Sequence, residues 1–288
     1  CFWMRVYEIP EGSRTSKGRA NQNLINIEND DKVKAFICTQ DLKDEDYVNS
    51  HYVIMATKKG TVKKTSLEQY SRPRQNGINA IGIREDDELL EAKLTTGTSQ
   101  IFLGLKSGKA IRFEEGKTRP MGRNASGVRG IRLANDNDEV IGMVSVHNFE
   151  DELLVVSENG YGKRSSIEDY RITNRGGKGV KTISITDKTG GLVAIKNVCD
   201  SDDLMIINKS GIAIRMSVED LRVMGRATQG VKLINIKGDD SIAAVAKVMK
   251  DDEELEEVDI MDIEVTTEDG TAIDNGSADA TENSSEEE

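Results

Sequence analysis

The stretch Tyr52-Val-Ile-Met-Ala-Thr-Lys-Lys-Gly60-Thr-Val-Lys-Lys64 decides the fold, because versions of it recur three times further along the chain. These are Ile101-Phe-Leu-Gly-Leu-Lys-Ser-Gly108-Lys-Ala-Ile-Arg112, Leu153-Leu-Val-Val-Ser-Glu-Asn-Gly160-Tyr-Gly-Lys-Arg164 and Leu204-Met-Ile-Ile-Asn-Lys-Ser-Gly211-Ile-Ala-Ile-Arg215. Their turn glycines are 48, 52 and 51 residues apart. Each copy joins two β-rich runs through a turn with Gly, which tolerates the positive φ of tight hairpins. The sequence therefore predicts four β-hairpins in regular repeats.

Each repeat continues in the same order after its hairpin. Three repeats have a short capped turn, at Ser66–Tyr70, Ser166–Tyr170 and Ser217–Leu221, and all then have a basic glycine loop. An alternating apolar segment closes each repeat and is predicted to be a second hairpin, over Ile78–Thr95, Val128–Val146, Val180–Val198 and Val231–Val248. Residues 1–39 resemble the later parts of a repeat, with strands expected at Arg19–Ile27 and Lys32–Thr39.

Four strands in a repeat of about 50 residues predict an all-β fold, a β-propeller or β-pinwheel of four-stranded blades. WD40 blades are shorter, and a single tryptophan does not suit the kelch repeat. We expect the propeller to occupy residues 1–250, with repeats at about 1–50, 51–99, 100–151, 152–202 and 203–250. The start at Cys1, which the pattern places inside a strand, is interpreted as that of a fragment whose N-terminal side is missing.

The charge of the chain is unevenly distributed. The formal net charge is -12, but residues 251–288 contain 17 acidic and no basic residues, which leaves +5 on residues 1–250. Because this tail is also poor in apolar residues, we expect it to be disordered. It is interpreted either as a competitor for basic surfaces, through mimicry of phosphate charge, or as a solubilising extension.

Five basic loops recur in register with the blades: Ser13–Arg19, Arg72–Ile78, Gly122–Val128, Asn174–Val180 and Gly225–Val231. Cations at equal intervals around a rim suit a bent phosphate backbone, and phosphate contacts do not read the base sequence. We predict a DNA-binding surface made of these loops, of the bases in the hairpins and of neighbouring glycines. Its residues are Arg14, Lys17, Arg19, Lys63, Lys64, Arg72, Arg74, Arg112, Arg123, Arg129, Lys163, Arg164, Arg175, Gly176, Gly177, Lys178, Gly179, Arg215 and Arg226.

One loop resembles a known family. Asn174-Arg175-Gly176-Gly177-Lys178-Gly179 is similar to the Gln-Arg-Arg-Gly-Gly-Lys-Gly box of the bacterial DNA gyrase A subunit, departing from it at Thr173 and Asn174. Gly60-Thr-Val-Lys-Lys-Thr65, Gly127-Val-Arg-Gly-Ile-Arg-Leu133 and Asn159-Gly-Tyr-Gly-Lys-Arg164 also resemble the C-terminal domain of that family. In the family the box belongs to the first blade, whereas here the similar loop is in a later repeat. The resemblance therefore implies a fragment whose first blade lies before Cys1.

The resemblance implies a six-bladed propeller that wraps double-stranded DNA for ATP-dependent negative supercoiling. It also implies a heterotetramer that contains the gyrase B subunit and the rest of the gyrase A subunit, in the cytoplasm and associated with the nucleoid. The ATP and Mg²⁺ of the holoenzyme would be handled elsewhere, so no cofactor, metal or catalytic residue is expected in this chain, which we expect not to cleave DNA alone. Two alternatives remain, the C-terminal domain of the topoisomerase IV A subunit, and a propeller that binds acidic proteins.

Overall fold

The computed structural model describes residues 1–13, 17–28, 31–148, 150–236, 238 and 240–249. The chain divides into two units, Cys1–Met249 and Lys250–Glu288. The acidic tail predicted at residues 251–288, and with it the expectation of disorder, lies outside the described residues. Within the described part, no helix is long and apolar enough to cross a membrane.

The described residues form an all-β fold, as predicted. One short helix, α1 (Glu45–Ser50), precedes the first hairpin and is N-capped by Asp44. The strands are β1 (Tyr52–Thr57), β2 (Thr61–Ser66), β3 (Leu89–Thr95), β4 (Gln100–Leu105), β5 (Lys109–Glu114), β6 (Val128–Arg129), β7 (Val140–Val146), β8 (Glu152–Ser157), β9 (Tyr161–Ser166), β10 (Val180–Lys181), β11 (Leu192–Val198), β12 (Asp202–Asn208), β13 (Ala213–Ser217), β14 (Val231–Lys232) and β15 (Ile242–Met249).

The four repeated stretches form the four predicted hairpins, β1–β2, β4–β5, β8–β9 and β12–β13. Their turn glycines have φ angles of 83°, 78°, 80° and 87°, which L-residues with a side chain rarely adopt. Acidic residues of the following loop stabilise the first two of these turns. Asp87 accepts from the Lys59 amide at 2.9 Å, and Asp138 accepts from the Ser107 amide at 3.0 Å. The acidic turns therefore hold the tips of the first two hairpins.

The closing segments differ from the prediction of a second hairpin within each repeat. The sheets are ordered β3-β1-β2-β6, β7-β4-β5-β10, β11-β8-β9-β14 and β15-β12-β13. The two arms of the last three segments lie in different sheets, and in Ile78–Thr95 only the second arm, β3, is a strand. The second arm, such as β7, pairs with the hairpin of its own repeat, while the first arm, such as β6, pairs with the hairpin of the preceding repeat. Each of the first three blades is thus completed by a two-residue strand from the next repeat.

The strand order also shows which strands lie on the inner side of the propeller and which lie on the outer side. Strands β3, β7, β11 and β15 contact one another in sequence, so they line the inner side. The exchanged strands β6, β10 and β14 lie at the opposite edge of their sheets. The basic loop that precedes each exchanged strand therefore lies on the outer rim.

The apolar cores lie between consecutive blades. One core combines Ile54 and Val62 of the first blade with Leu103 and Phe113 of the second, and similar cores separate the second from the third and the third from the fourth. Several small cores fit the low aromatic content of 4%.

The prediction for the N-terminal residues is wrong in part. The described residues among 1–39 contain no β-strand, only single 3-10 turns at Val6–Glu8 and Asn21–Asn23. The physical reason is that a closing segment needs a preceding hairpin to pair with, and residues 1–39 contain none. Instead, Trp3 and Ile37 pack against the outer core of the first blade, and the Trp3 indole donates to the Tyr70 carbonyl at 3.1 Å.

Candidate nucleic-acid interface

The outer rim gathers exposed bases at each place where the loop of one repeat lies against the blade before it. We call such a place a seam. At three seams the chain crosses next to the second strand of the preceding hairpin, through parallel bridges that pair Lys64 with Pro120, Arg112 with Ile172 and Arg164 with Val223. The loop then continues into the exchanged strand, so its position on the rim is set by backbone pairing.

Two loop arginines bridge consecutive repeats in the same way. The Arg175 guanidinium donates to the carbonyls of Lys117 and Arg129, each at 3.1 Å. The Arg226 guanidinium donates to the carbonyls of Asp169 at 3.1 Å and Lys181 at 2.8 Å. Each arginine therefore lies beside the base in the exchanged strand of the preceding repeat, Arg175 beside Arg129 and Arg226 beside Lys181.

Bases that the sequence interpretation did not select complete this pattern. Lys181 and Lys232 occupy the position of Arg129 in their exchanged strands, and all three are exposed. Arg119, Arg171 and Arg222, four residues before the loop arginines, are exposed as well. The signal was present, because each of these positions is basic in three consecutive repeats. We call the following set the rim cations: Arg119, Arg123, Arg129, Arg171, Arg175, Lys178, Lys181, Arg222, Arg226 and Lys232.

The remaining predicted loop bases lie near the N-terminal end of the described chain. Arg72 and Arg74 are exposed and line one shallow cavity together with Arg123. Lys17 and Arg19 are exposed, whereas Arg14 lies outside the described residues.

The hairpin bases require a correction. Lys63 and Lys163 are fully buried, and Lys64, Arg112 and Arg164 are between 4% and 7% exposed. Side chains at this depth cannot contact a phosphate backbone directly. Only Arg215, in the last described hairpin, is exposed, and it forms an ion pair with Asp203 at 2.7 Å.

The buried bases instead join one repeat to the next. Arg112 donates to the carbonyls of Ile167 and Tyr170, at 2.7 and 2.9 Å, in the short turn of the following repeat. Arg164 donates to the Leu221 carbonyl at the equivalent place and pairs with Glu152 and Asp200. These guanidiniums thus satisfy carbonyls of turns that no strand covers.

Lys64 makes the corresponding connection through an acidic side chain. Its ammonium lies 3.1 Å from Glu115, whose side chain is completely buried and also accepts from the Thr95 hydroxyl at 2.7 Å. Glu115 opens the 3-10 turn Glu115–Lys117, which the sequence interpretation missed.

Two of the box glycines are explained by packing between repeats. A Cβ on Gly179 would lie 2.7 Å from the Ala110 carbonyl oxygen of β5, so this glycine lets the loop lie against the preceding blade. Gly127 and Gly230 make the same close approach to Val62 and Gly162. Gly177 lies over Ile111, and its carbonyl accepts from the Arg132 amide at 2.8 Å. The idea that these glycines serve phosphate is therefore not needed to explain them.

A propeller whose blades are completed at the outer edge by the next repeat, with bases at each seam, defines the class of the protein. A family model described as "DNA gyrase C-terminal domain, beta-propeller" matches residues 1–40, 51–96, 106–147, 151–199 and 202–249. The chain belongs to this family, as the resemblance predicted.

Similar proteins agree with this assignment. The chain is 45% identical over 271 residues to the DNA gyrase A subunit of Staphylococcus aureus strain NCTC 8325, and 46% identical over 272 residues to that of strain MRSA252. In both cases the match covers 94% of this chain and 30% of the relative, so the chain spans about a third of the length of these proteins.

Two solved structures show the same fold. A C-terminal domain of DNA topoisomerase IV has a TM-score of 0.77 at 22% identity, covering 90% of this chain and 80% of that one. A DNA gyrase A C-terminal domain has a TM-score of 0.71 at 23% identity, covering 85% and 78%. These identities establish the fold alone, whereas the 45% identity to the gyrase A subunit of S. aureus favours gyrase over the topoisomerase IV alternative.

Proposed function

We propose that this chain binds duplex DNA along its outer rim without reading the base sequence, and bends the duplex around the blades as part of a DNA gyrase A subunit. The observation that carries the proposal is the pairing of bases at consecutive seams, where exposed Arg129 lies beside half-buried Arg175 and exposed Lys181 lies beside half-buried Arg226. Because the pairs recur once per blade, a duplex that follows the rim meets cations at each seam. Bending the duplex therefore adds phosphate contacts, which offset the free-energy cost of the bend.

In the proposed assembly, this domain supports ATP-dependent negative supercoiling by a heterotetramer of gyrase A and gyrase B subunits. Such a complex would work in the cytoplasm, at the nucleoid. ATP and Mg²⁺ belong to the other parts of that assembly, since this sequence contains no phosphate-binding loop motif.

The proposal is tested by DNA binding at several salt concentrations and duplex lengths. We expect log K to fall steeply with log[salt], by about 0.9 for each phosphate contact, and affinity to increase with duplex length until the rim is covered. Equal affinity for short and long duplexes, or binding that ignores salt, would refute wrapping.

A variant pair locates the surface. Replacing Arg175 and Lys178 with alanine is expected to reduce the topological shift of nicked circular DNA more than simple binding, because the other seams still hold phosphates. Lys59→Ala is the matched control, since Lys59 is exposed but lies among the acidic residues Asp86, Asp87 and Asp138. If the control reduces wrapping as much as the double variant, the rim assignment is wrong.

The protein-interaction alternative makes a different prediction. A propeller that binds acidic proteins would retain protein partners after nuclease treatment and would not shift purified DNA. That outcome would replace the proposed function.

A further inference from the structure

Two fully buried lysines lie beneath basic loops of the following repeat. Lys63 and Lys163 each stand three residues after a turn glycine, on the second strand of the hairpin, and neither side chain reaches solvent. The Lys63 ammonium donates to the carbonyls of Ala80, at 2.5 Å, and Arg123. The Lys163 ammonium donates to the carbonyl of Gly225. Each lysine thus binds the backbone of a basic loop at the loop arginine or next to it, and the side chains of these arginines, Arg123 and Arg226, are half-buried.

The loops above these lysines have a compact shape. In the loop at Gly225, the amide of Thr228 donates back to the Gly225 carbonyl at 3.2 Å, and the Thr228 hydroxyl donates to the same oxygen at 2.9 Å. The loop at Gly122 has the same backbone bond, from the Ala125 amide to the Gly122 carbonyl at 3.1 Å. In the first case the lysine therefore binds the same oxygen that closes the turn.

The box-like loop rests on a different side chain. The residue three positions after its supporting turn glycine is Ile111, which packs under Gly177 at 3.4 Å from the position of a Cβ. Gly176 in this loop has φ +81°, whereas its counterparts in the other two loops, Asn124 and Ala227, are not among the positive-φ residues. The lysine-supported loops and the isoleucine-supported loop thus differ in backbone as well as in support.

A buried ammonium needs compensating hydrogen bonds, because removing its charge from water costs free energy unless polar groups surround it. The partners here are loop carbonyls, which a buried lysine can satisfy with its three donors. Desolvation lowers the pKa of both lysines to about 8, against an ordinary value of 10.5, which agrees with the depth of the site.

We infer that Lys63 and Lys163 are positioning residues for DNA binding, which hold the loops of Arg123 and Arg226 from below and so fix these arginines at the rim. The effect of the two lysines on DNA binding rests on the proposed function, since neither lysine can touch DNA itself. The box-like loop, seated on Ile111, is held through Arg175 and its two carbonyl partners, whereas the loop of Arg226 has the equivalent arginine contacts and the lysine as well.

The test is a double-mutant cycle between Lys163→Ile and Arg226→Ala. Isoleucine is chosen because the equivalent position in the second blade already accommodates it as Ile111. We expect Lys163→Ile to lower DNA affinity by roughly fivefold to tenfold, corresponding to the loss of about one charged contact, and to have no further effect once Arg226 is alanine. In an Arg123→Ala background, which alters another seam, its full effect should remain.

A second measurement does not depend on DNA. Hydrogen exchange at the Thr228 amide should accelerate at least roughly tenfold in Lys163→Ile, while exchange at the Arg132 amide, bonded to the box-like loop, stays unchanged. Lys163→Met replaces the isoleucine variant if the latter does not fold.

Each outcome decides one question. If the wild-type chain shows no salt-dependent DNA binding, the proposed function is wrong. The hydrogen-exchange result then tests only whether Lys163 holds the loop of Arg226. Effects of Lys163→Ile and Arg226→Ala that add fully, or unchanged exchange at Thr228, overturn the positioning role even though DNA binding persists.

Discussion

At the residue scale, a base four positions after each turn glycine has different surroundings depending on whether another repeat packs over it. Lys64, Arg112 and Arg164 are covered by the turn of the next repeat, whereas Arg215 is exposed. All four residues are long cations, but the covered ones bind backbone carbonyls and carboxylates of the protein itself. The covered cations hold the repeats together, and the phosphate contacts that we propose fall to the rim cations.

The first residue-scale prediction concerns pH. Because the folded pKa of Lys63 and Lys163 is about 8 and lies below the ordinary 10.5, the unfolded chain binds more protons between these values. The contribution of the two lysines to the free energy of unfolding should therefore rise as pH increases from about 8 to about 10.5. It is measured by urea unfolding of wild type and of Lys163→Met across this range. Lysine ¹³Cε NMR should show two resonances titrating near pH 8; titration of both above pH 10 would contradict it.

The second prediction concerns the buried pair of Lys64 and Glu115. Replacing Glu115 with glutamine leaves the Lys64 charge buried without its counter-ion and should lower the free energy of unfolding by about 3 kcal/mol. Glu114→Gln is the control, since Glu114 and Lys117 are 3.7 Å apart with both side chains about half exposed, and should change stability by less than about 1 kcal/mol. Equal effects of the two variants in urea unfolding would show that burial is not the cause.

At the element scale, the exchanged strand is the shortest and most consequential element. Strands β6, β10 and β14 have two residues each, yet they connect every one of the first three blades to the repeat after it. Two residues carry little pairing energy of their own, so the approach of the preceding glycine to the blade contributes to their position.

The prediction at this scale is that Gly179→Ala displaces the box-like loop from β5. Its Cβ would meet the Ala110 carbonyl oxygen at 2.7 Å, and its φ of +72° is unfavourable for alanine. We expect a loss of about 1–3 kcal/mol in the free energy of unfolding. Gly122→Ala, where nothing lies within 4 Å, is the control and should be nearly neutral. A thermal melt that ranks the two variants in the opposite order would disprove the packing role.

At the scale of the whole molecule, the net charge of the chain is negative although residues 1–250 are positive in sum. The formal charge of -12 comes from residues 251–288, which carry 17 acids, while the rim carries its bases in register. The net charge of residues 1–250 therefore favours a phosphate partner, whereas the net charge of the whole chain would argue against one.

The prediction at this scale concerns the tail. Removing residues 251–288 should strengthen DNA binding at low salt, by roughly threefold to tenfold, because the tail no longer competes with phosphate, and the difference should vanish at high salt, where charges are screened. Binding isotherms at several salt concentrations measure it. A tail of equal length with Asp and Glu replaced by Asn and Gln should act like the deletion; unchanged affinity in both would support a solubilising role only.

Local sequence patterns were sufficient to predict the repeat, the hairpins and the class of fold. Turn glycines at regular spacing and alternating apolar runs are local signals, because positive φ and period-two burial act within a few residues. The box-like motif also identified the family, because its glycines and bases are contiguous in the sequence. The bases of the exchanged strands, Lys181 and Lys232, could have been found in the same way from their register.

The packing of one repeat on the next was needed to establish which blade each segment completes and which bases face solvent. Val128 and Val140 are close in sequence but pair in different sheets. Lys63 and Lys178 are both lysines, but Lys63 is buried under a loop whereas Lys178 is exposed. Both outcomes depend on contacts between residues far apart in the chain, such as Lys63 with Arg123. No local pattern specifies such contacts, since they arise only when the folded repeats meet.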